Sequence, residues 1–294
     1  MISIIALFLL PVHSSKKKCY NEMKMTTTRT KIMAVLNVTP DSFSDGGQFN
    51  TVEAALARAK TLIADGADIL DIGGESTRPF ASPVELEEEL RRVIPSIEAI
   101  HNEHPTIPIS IDTMKAEVAR QALAAGASIL NDISACRADE GMVKVAVETG
   151  APLIIMHMQG TPQDMQVNPQ YDDVVEELLT FFRKCLADLT KAGVSREKII
   201  LDPGIGFGKR LEHNLSLIHH LNRFAELHQP ILLAHSRKSF LGAVTGIKDE
   251  LQRDFATATV AALACAPWVD MVRVHNVALT REALLVAEAI ASAK

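Results

Sequence analysis

From Lys31 onward, short apolar runs alternate with helix-length amphipathic stretches, and no other feature of the chain restricts its fold so tightly. The runs are IMAVLN, ADILDIG, IPISID, SILND, PLIIMH, KIILD, PILLAHS and VDMVRVH. Most are apolar on successive residues, the pattern of parallel strands buried on both faces rather than of half-exposed strands. Strand followed by helix, repeated eight times in roughly 265 residues, predicts an α/β fold with a parallel sheet. That length suits a closed (β/α)8 TIM barrel of ~250 residues, which we expect as a single domain over residues 29–294. A doubly wound open sheet is the runner-up, although its usual first-turn glycine fingerprint is missing.

The intervening segments carry helix signals. TVEAALARAKTLIADGA puts Ala55, Leu56, Ala59, Leu62 and Ile63 on one stripe, with Thr51 expected as its N-cap and Gly66 closing it. SPVELEEELRRVIPSIEAI opens with Pro83 at an expected first-turn position and places acids early and arginines later, as the helix dipole prefers. MKAEVARQALAAGA, DEGMVKVAVETGA and YDDVVEELLTFFRKCLADLTKAGV each stop at a glycine suited to a position just past the helix end. QRDFATATVAALACA and NVALTREALLVAEAIASAK complete the series.

A formal net charge of −6 argues against a general nucleic-acid or membrane binder, whose signature is basic, so an anionic ligand has to be met by local cations. Cys19, Cys136, Cys185 and Cys265 lie far apart without C-x-x-C pairing, which fits reduced thiols in a cytoplasmic protein better than disulfides or zinc. The opening MISIIALFLLPV is shorter than the ~20 residues that span a bilayer, and its lysines follow the apolar run instead of preceding it. We expect residues 1–28 to be a disordered or mis-called extension, with Met23 or Met25 as the true start; a signal or anchor is the alternative.

Polar residues end nearly every predicted strand: Asn37, Asp71, Asp112, Asn131 with Asp132, His157, Asp202, His235 with Ser236, and Arg273 with His275. In a barrel those ends converge on the face that holds the active site. Asp accepts from N–H groups and Asn both donates and accepts, so such a mouth suits a flat, nitrogen-rich heterocycle. Arg78, Arg237, Lys238, Arg273 and His275 suggest that the ligand also has an anionic part. The stretch DPGIGFGK (202–209) fits neither the Walker loop, since Pro203 stands where its first glycine belongs, nor G-x-G-x-x-G, whose third glycine falls on Lys209. We read it as a loop against a heterocycle, not a phosphate cradle.

LNVTPDSFSDGG (36–47), DIGGESTRP (71–79), SIDT (110–113), ILND (129–132), MHMQGTP (156–162), LDPGIGFGK (201–209), SRKSFLG (236–242) and RVH (273–275) together resemble dihydropteroate synthase, in that family's order and spacing. The resemblance runs from about Lys31 to the C-terminus, and the ordered set is far more specific than any one motif. It implies condensation of (7,8-dihydropterin-6-yl)methyl diphosphate with 4-aminobenzoate to 7,8-dihydropteroate and diphosphate, a step of folate synthesis. Diphosphate would depart first, leaving a pterin methylene cation for the weakly nucleophilic aniline. It further implies a pterin pocket of Asp112, Asn131, Asp202, Lys238, Met156 and Gly206. Asn37, Arg273, His275 and Arg78 would hold diphosphate, with Asn37 also ligating Mg²⁺. Phe43, Thr77, Arg78, Pro79, Phe207 and Ser236 would face aminobenzoate, and Asp202, Lys238, Arg273 and Asn37 would carry the chemistry. The implied assembly is a homodimer packed through outer helices near the C-terminus.

Plainer readings compete. Asp112 or Asp132 could cap a helix, a role given to Asp132 in particular. Met156 could be core, His157 an orienting or buried histidine, and Lys209 a solvated loop lysine; His235 has no assigned role. Phe80 and Asn276 stand where the family usually has glycine and aspartate, which leaves aminobenzoate and sulfonamide affinity open. The rival functions are a non-catalytic pterin-binding homologue and a lyase using Lys238 as a Schiff base. The first would have lost one of Asn37, Arg78, Asp202, Lys238, Arg273 or His275, and all six are present. The second needs a lysine within a strand that can give up its proton.

Overall fold

The computed structural model describes residues 29–39, 48–77, 81–265 and 268–293. The expected extension at 1–28 lies outside the described residues, as do Phe43, Arg78, Pro79 and Phe80. Eight parallel strands follow one another around a barrel: β1 Lys31–Asn37, β2 Ile69–Gly73, β3 Ile109–Asp112, β4 Ile129–Asp132, β5 Leu153–Met156, β6 Ile199–Asp202, β7 Leu232–Ala234 and β8 Met271–Val274. Ladders join them in the order β6-β5-β4-β3-β2-β1-β8-β7. A parallel bridge between Leu201 and Ile231 closes β6 onto β7, which excludes the open doubly wound sheet.

Period-two alternation explains why the apolar runs carry no exposed face. Ile32, Ala34 and Leu36 of β1 join the main core beneath the helices, together with Leu70, Ile72, Ile109, Ile111, Leu153 and Ile155. The alternate positions point into the barrel, where Met33, Ile69, Ile129, Ile154, Ile200, Leu232 and Met271 form a separate apolar plug. Polar side chains therefore enter the interior only above this plug, toward the C-terminal ends of the strands.

The helices are α1 Gln48–Ala64, α2 Leu86–Glu103, α3 Ala116–Ala124, α4 Gly141–Thr149, α5 Val174–Lys191, α6 Leu211–His219, α7 Ser239–Thr245, α8 Asp254–Ala264 and α9 Val277–Ser292. Two expected starts are corrected. Helix α1 begins at Gln48, one turn before Thr51, and α2 begins at Leu86, so Pro83 precedes it instead of sitting in its first turn. Side-chain caps do form at α5, where Asp173 accepts from the Val175 and Glu176 amides, and at α9, where Asn276 accepts from the Leu279 amide. Asn276 thus caps α9 and also donates to Asp254 Oδ2 at 3.0 Å.

The plug separates stability from ligand contact. Leu232 is fully buried in it, so Leu232→Ala should lower unfolding free energy by about 3 kcal/mol, in the range found for buried leucines. A urea titration should show the lower midpoint, and the affinity of the site above should stay within about twofold of wild type.

Candidate active site

Arg273 rises from β8 and crosses the barrel interior. Its Nε donates to Asp71 Oδ2 of β2 at 2.5 Å and its Nη2 to Asp112 Oδ2 of β3 at 2.6 Å. Asn131 of β4 donates through Nδ2 to both Asp71 oxygens at 3.3 Å. One part-buried guanidinium thus serves two buried carboxylates that could not otherwise both remain charged away from water. Burial works against its charge, yet Asp71 and Asp112 more than offset this and hold its pKa above the usual value. Burial pushes the Asp112 carboxyl up to about 7, against the pull of Arg273. Asp71, a strand residue given no role from the sequence, is the fully buried half of this bridge.

Asp202 ends β6 and accepts from the Gly204 amide at 2.8 Å through Oδ1. Burial raises its pKa, with Lys238 and Arg273 opposing. Lys238 immediately precedes α7; its ammonium donates to the Ile205 carbonyl and stands 4.3 Å from the centre of the Phe207 ring. Burial draws the Lys238 pKa down to about 7, with Asp202 resisting. Asp112, Asn131, Asp202, Lys238, Phe207 and Arg273 are therefore brought into one mouth. Ser236 and His275 belong to it too: the Ser236 hydroxyl lies 2.9 Å from His275 Nδ1 and accepts from the His275 amide at 3.2 Å.

Met156 is buried with Ile133, Met158 and Met165 in a small cluster on which Met114 and Phe207 pack. Asn37 is exposed at the end of β1 and Thr77 is half-buried beyond β2. Among the described residues no group of three or more His, Cys, Asp or Glu side chains could hold a metal ion. Asn37 by itself offers one amide oxygen, a donor set that fits Mg²⁺ only where phosphate oxygens and water complete the sphere.

Three expectations change. Arg237 does not face the mouth; it adopts φ +60° and makes a two-pronged pair with Asp254, at 2.6 and 2.8 Å. Asp132 caps no helix, but accepts from the Ser134 and Cys136 amides at 2.7 and 2.8 Å in the turn after β4. Lys209 is no solvated lysine; it is 3% exposed and bonded on all sides. The glycines of 203–209 also meet protein closely on one side. A Cβ on Gly204 would lie 2.0 Å from the His157 carbonyl oxygen, and one on Gly208 2.7 Å from that of Gln159. His235, without a role before, is fully buried and places Nε2 2.9 Å from the Thr257 carbonyl, tying β7 to α8.

Sequence reasoning also missed the root of the loop after β2. Lys115 pairs with Glu75 at 2.5 Å and with the buried Glu89 at 2.6 Å, and Arg92 donates to the Gly74 carbonyl at 2.8 Å. These partners are brought together by packing between α2 and α3, which no local motif announces.

The buried His157 borders the mouth, and burial, reinforced by Lys209 and Arg137, draws its pKa down to about 2. Because the pKa is lowered, the folded protein keeps this imidazole neutral where the unfolded chain protonates it. Between pH 6.5 and 4 it therefore works against stability as pH falls, by about 1.4 kcal/mol per pH unit. The His157 ring resonance should not move between pH 8 and 5 in an NMR titration, whereas an exposed histidine should titrate near 6.5.

The chain matches the pterin-binding enzyme family over residues 33–275. It is 47% identical to a dihydropteroate synthase of Synechocystis over 262 residues, which cover 89% of this chain and 90% of that protein. The fold is similar to a dihydropteroate synthase of Xanthomonas albilineans solved with 4-aminobenzoic acid, with a TM-score of 0.85, 44% identity and coverage of 90% of this chain and 94% of the other. A structure from the same organism in complex with 7,8-dihydropteroate gives a TM-score of 0.82 at 41% identity, covering 91% and 96% of the two chains.

Proposed function

The chain belongs to the dihydropteroate synthase family, and on that premise we propose that it joins (7,8-dihydropterin-6-yl)methyl diphosphate to 4-aminobenzoate, releasing diphosphate and 7,8-dihydropteroate. The observation that carries this reading is the convergence of Asp112, Asn131, Asp202, Lys238 and Arg273 above the plug. It is a set of hydrogen-bonding groups for a pterin edge with cations at its border.

The C–O bond to diphosphate breaks first, with both electrons leaving on oxygen. Asp202, aligned with ring N–H groups, favours the positive charge that spreads over the dihydropterin and its methylene. The aniline nitrogen then attacks the methylene, and its surplus proton leaves with the diphosphate. Lys238 and Gly206 border the pterin with Met156 beneath it, while Arg273, His275, Asn37 and Arg78 serve the diphosphate. A Ser236 hydroxyl donating to Nδ1 leaves the His275 proton on Nε2, ready to meet an anion. Phe43, Thr77, Arg78, Pro79, Phe207 and Ser236 form the aminobenzoate side. Mg²⁺, held by Asn37 with diphosphate oxygens and water, would neutralise part of the leaving group's charge.

We also propose a cytoplasmic homodimer packed through α8 and α9. Phe255 is 75% and Ile290 71% exposed, and Leu263, Leu285 and Val286 on the same two helices are exposed as well. Large apolar side chains left uncovered on neighbouring helices support an interface there. No helix among the described residues is long and apolar enough to cross a membrane.

The test is diphosphate release from the dihydropterin substrate with Mg²⁺, run with and without 4-aminobenzoate. Release with dihydropteroate formation is expected; tight pterin binding with no release in either case would instead identify a non-catalytic homologue. Because burial draws the Lys238 pKa down to about 7, a borohydride trap with a carbonyl substrate should be run beside it, and covalent capture at Lys238 would point to the lyase. Asp202→Asn should remove most turnover, by about a thousandfold, with an unchanged circular dichroism spectrum. Phe255→Glu should sediment as a monomer where the wild type sediments as a dimer.

A further inference from the structure

The loop 203–209 is held as a rigid object by bonds to its own backbone. The Ile205 carbonyl accepts from Lys238, the Gly206 carbonyl from Gln166 Nε2 at 2.6 Å, the Phe207 carbonyl from Lys209 Nζ at 2.9 Å and the Gly208 carbonyl from the Tyr171 hydroxyl at 2.7 Å. The Gly206 amide donates to Asn214 Oδ1 at 2.7 Å. Four of these groups come from elsewhere in the chain, and Lys209 is the one the loop itself supplies.

Lys209 turns inward, away from solvent and without a place in the mouth. Besides Phe207, its ammonium reaches His157 Nδ1 at 3.0 Å and the His157 carbonyl at 3.2 Å, so three N–H donors meet three acceptors. Burial lowers its pKa well below the ordinary value and the Asp202 carboxylate opposes this; a complete set of acceptors also favours the charged form. The His157 ring is itself fixed, edge-on to Phe181 at 4.9 Å. A lysine with only a packing role would not need an anchored imidazole and two carbonyls as partners. What the ammonium fixes is the distance between the loop after β5 and the Phe207 backbone, and Phe207 is the residue whose ring lies against the Lys238 ammonium.

We infer that Lys209 is a positioning residue for the second substrate: without touching it, the Lys209 ammonium staples Phe207 to His157 and so sets the wall that meets 4-aminobenzoate. This rests on the aminobenzoate side assigned above.

Two measurements test it. In Lys209→Met, which keeps the length and removes the ammonium, KM for 4-aminobenzoate should rise about tenfold, while kcat and KM for the dihydropterin diphosphate stay within about threefold. Equal rises in both KM values, or none, would overturn the positioning role. Wild-type protein that makes no dihydropteroate would sink the proposed function and this role with it; an active wild type whose Lys209→Met variant keeps its aminobenzoate KM sinks this role alone. Should the variant fail to fold, ¹⁵N NMR of wild-type His157 decides. A neutral ring with its proton on Nε2 and Nδ1 accepting from Lys209 is expected, and a proton on Nδ1 would refute the staple.

Discussion

The barrel mouth depends on a single guanidinium. Arg273 stands on β8, and its two carboxylate partners stand on β2 and β3, so the ion pairs pass over β1 and reach the second and third strands along the ring from β8. Removing one member of such a buried set would strand charge in a medium that hydrates it poorly. The bridge therefore fixes Asp112 and Asn131, at the centre of the mouth, with the same bonds that make their burial tolerable. The cation keeps a share of its charge for whatever anion approaches, because neither carboxylate occupies all five of its N–H donors.

Around that bridge, the walls are braced from outside the barrel. The segment after β7 is held by α8, through the Arg237–Asp254 pair and the contact of His235 with the Thr257 carbonyl. The same helix carries Phe255 on its outer side, next in sequence to Asp254. A subunit packed on α8 would rest against the element that orients Ser236 and Lys238. The loop after β2 is braced likewise, by Lys115 between Glu75 and Glu89.

The sequence discloses what is periodic or ordered. Eight apolar runs appear as eight strands at nearly the expected residues, since burial on both faces demands successive apolar side chains whatever the context. That Asp112, Asn131, Asp202 and Arg273 meet at one mouth was legible because each lies at or next to the end of its strand. What was not legible is partnership across the fold. Arg237 and Lys238 are neighbours of like charge, and only Asp254 of α8, 17 residues later in the chain, turns one of them away from the mouth. Lys209 looks like a loop lysine until the His157 carbonyl, 52 residues earlier, is seen to accept from it. Asp132 resembled a helix cap because its local pattern is the same for the turn it does cap.

The contact between Gly204 and the His157 carbonyl has a consequence for how this scaffold diversifies. Two loops whose backbones touch with no room for a methyl group cannot be exchanged one at a time. A transplant of residues 203–209 from a relative carries its own curvature, which has to match the path of residues 157–159 of the host. The two loops would therefore have to be grafted as one unit, and a library built on this barrel would place its crossover points outside both.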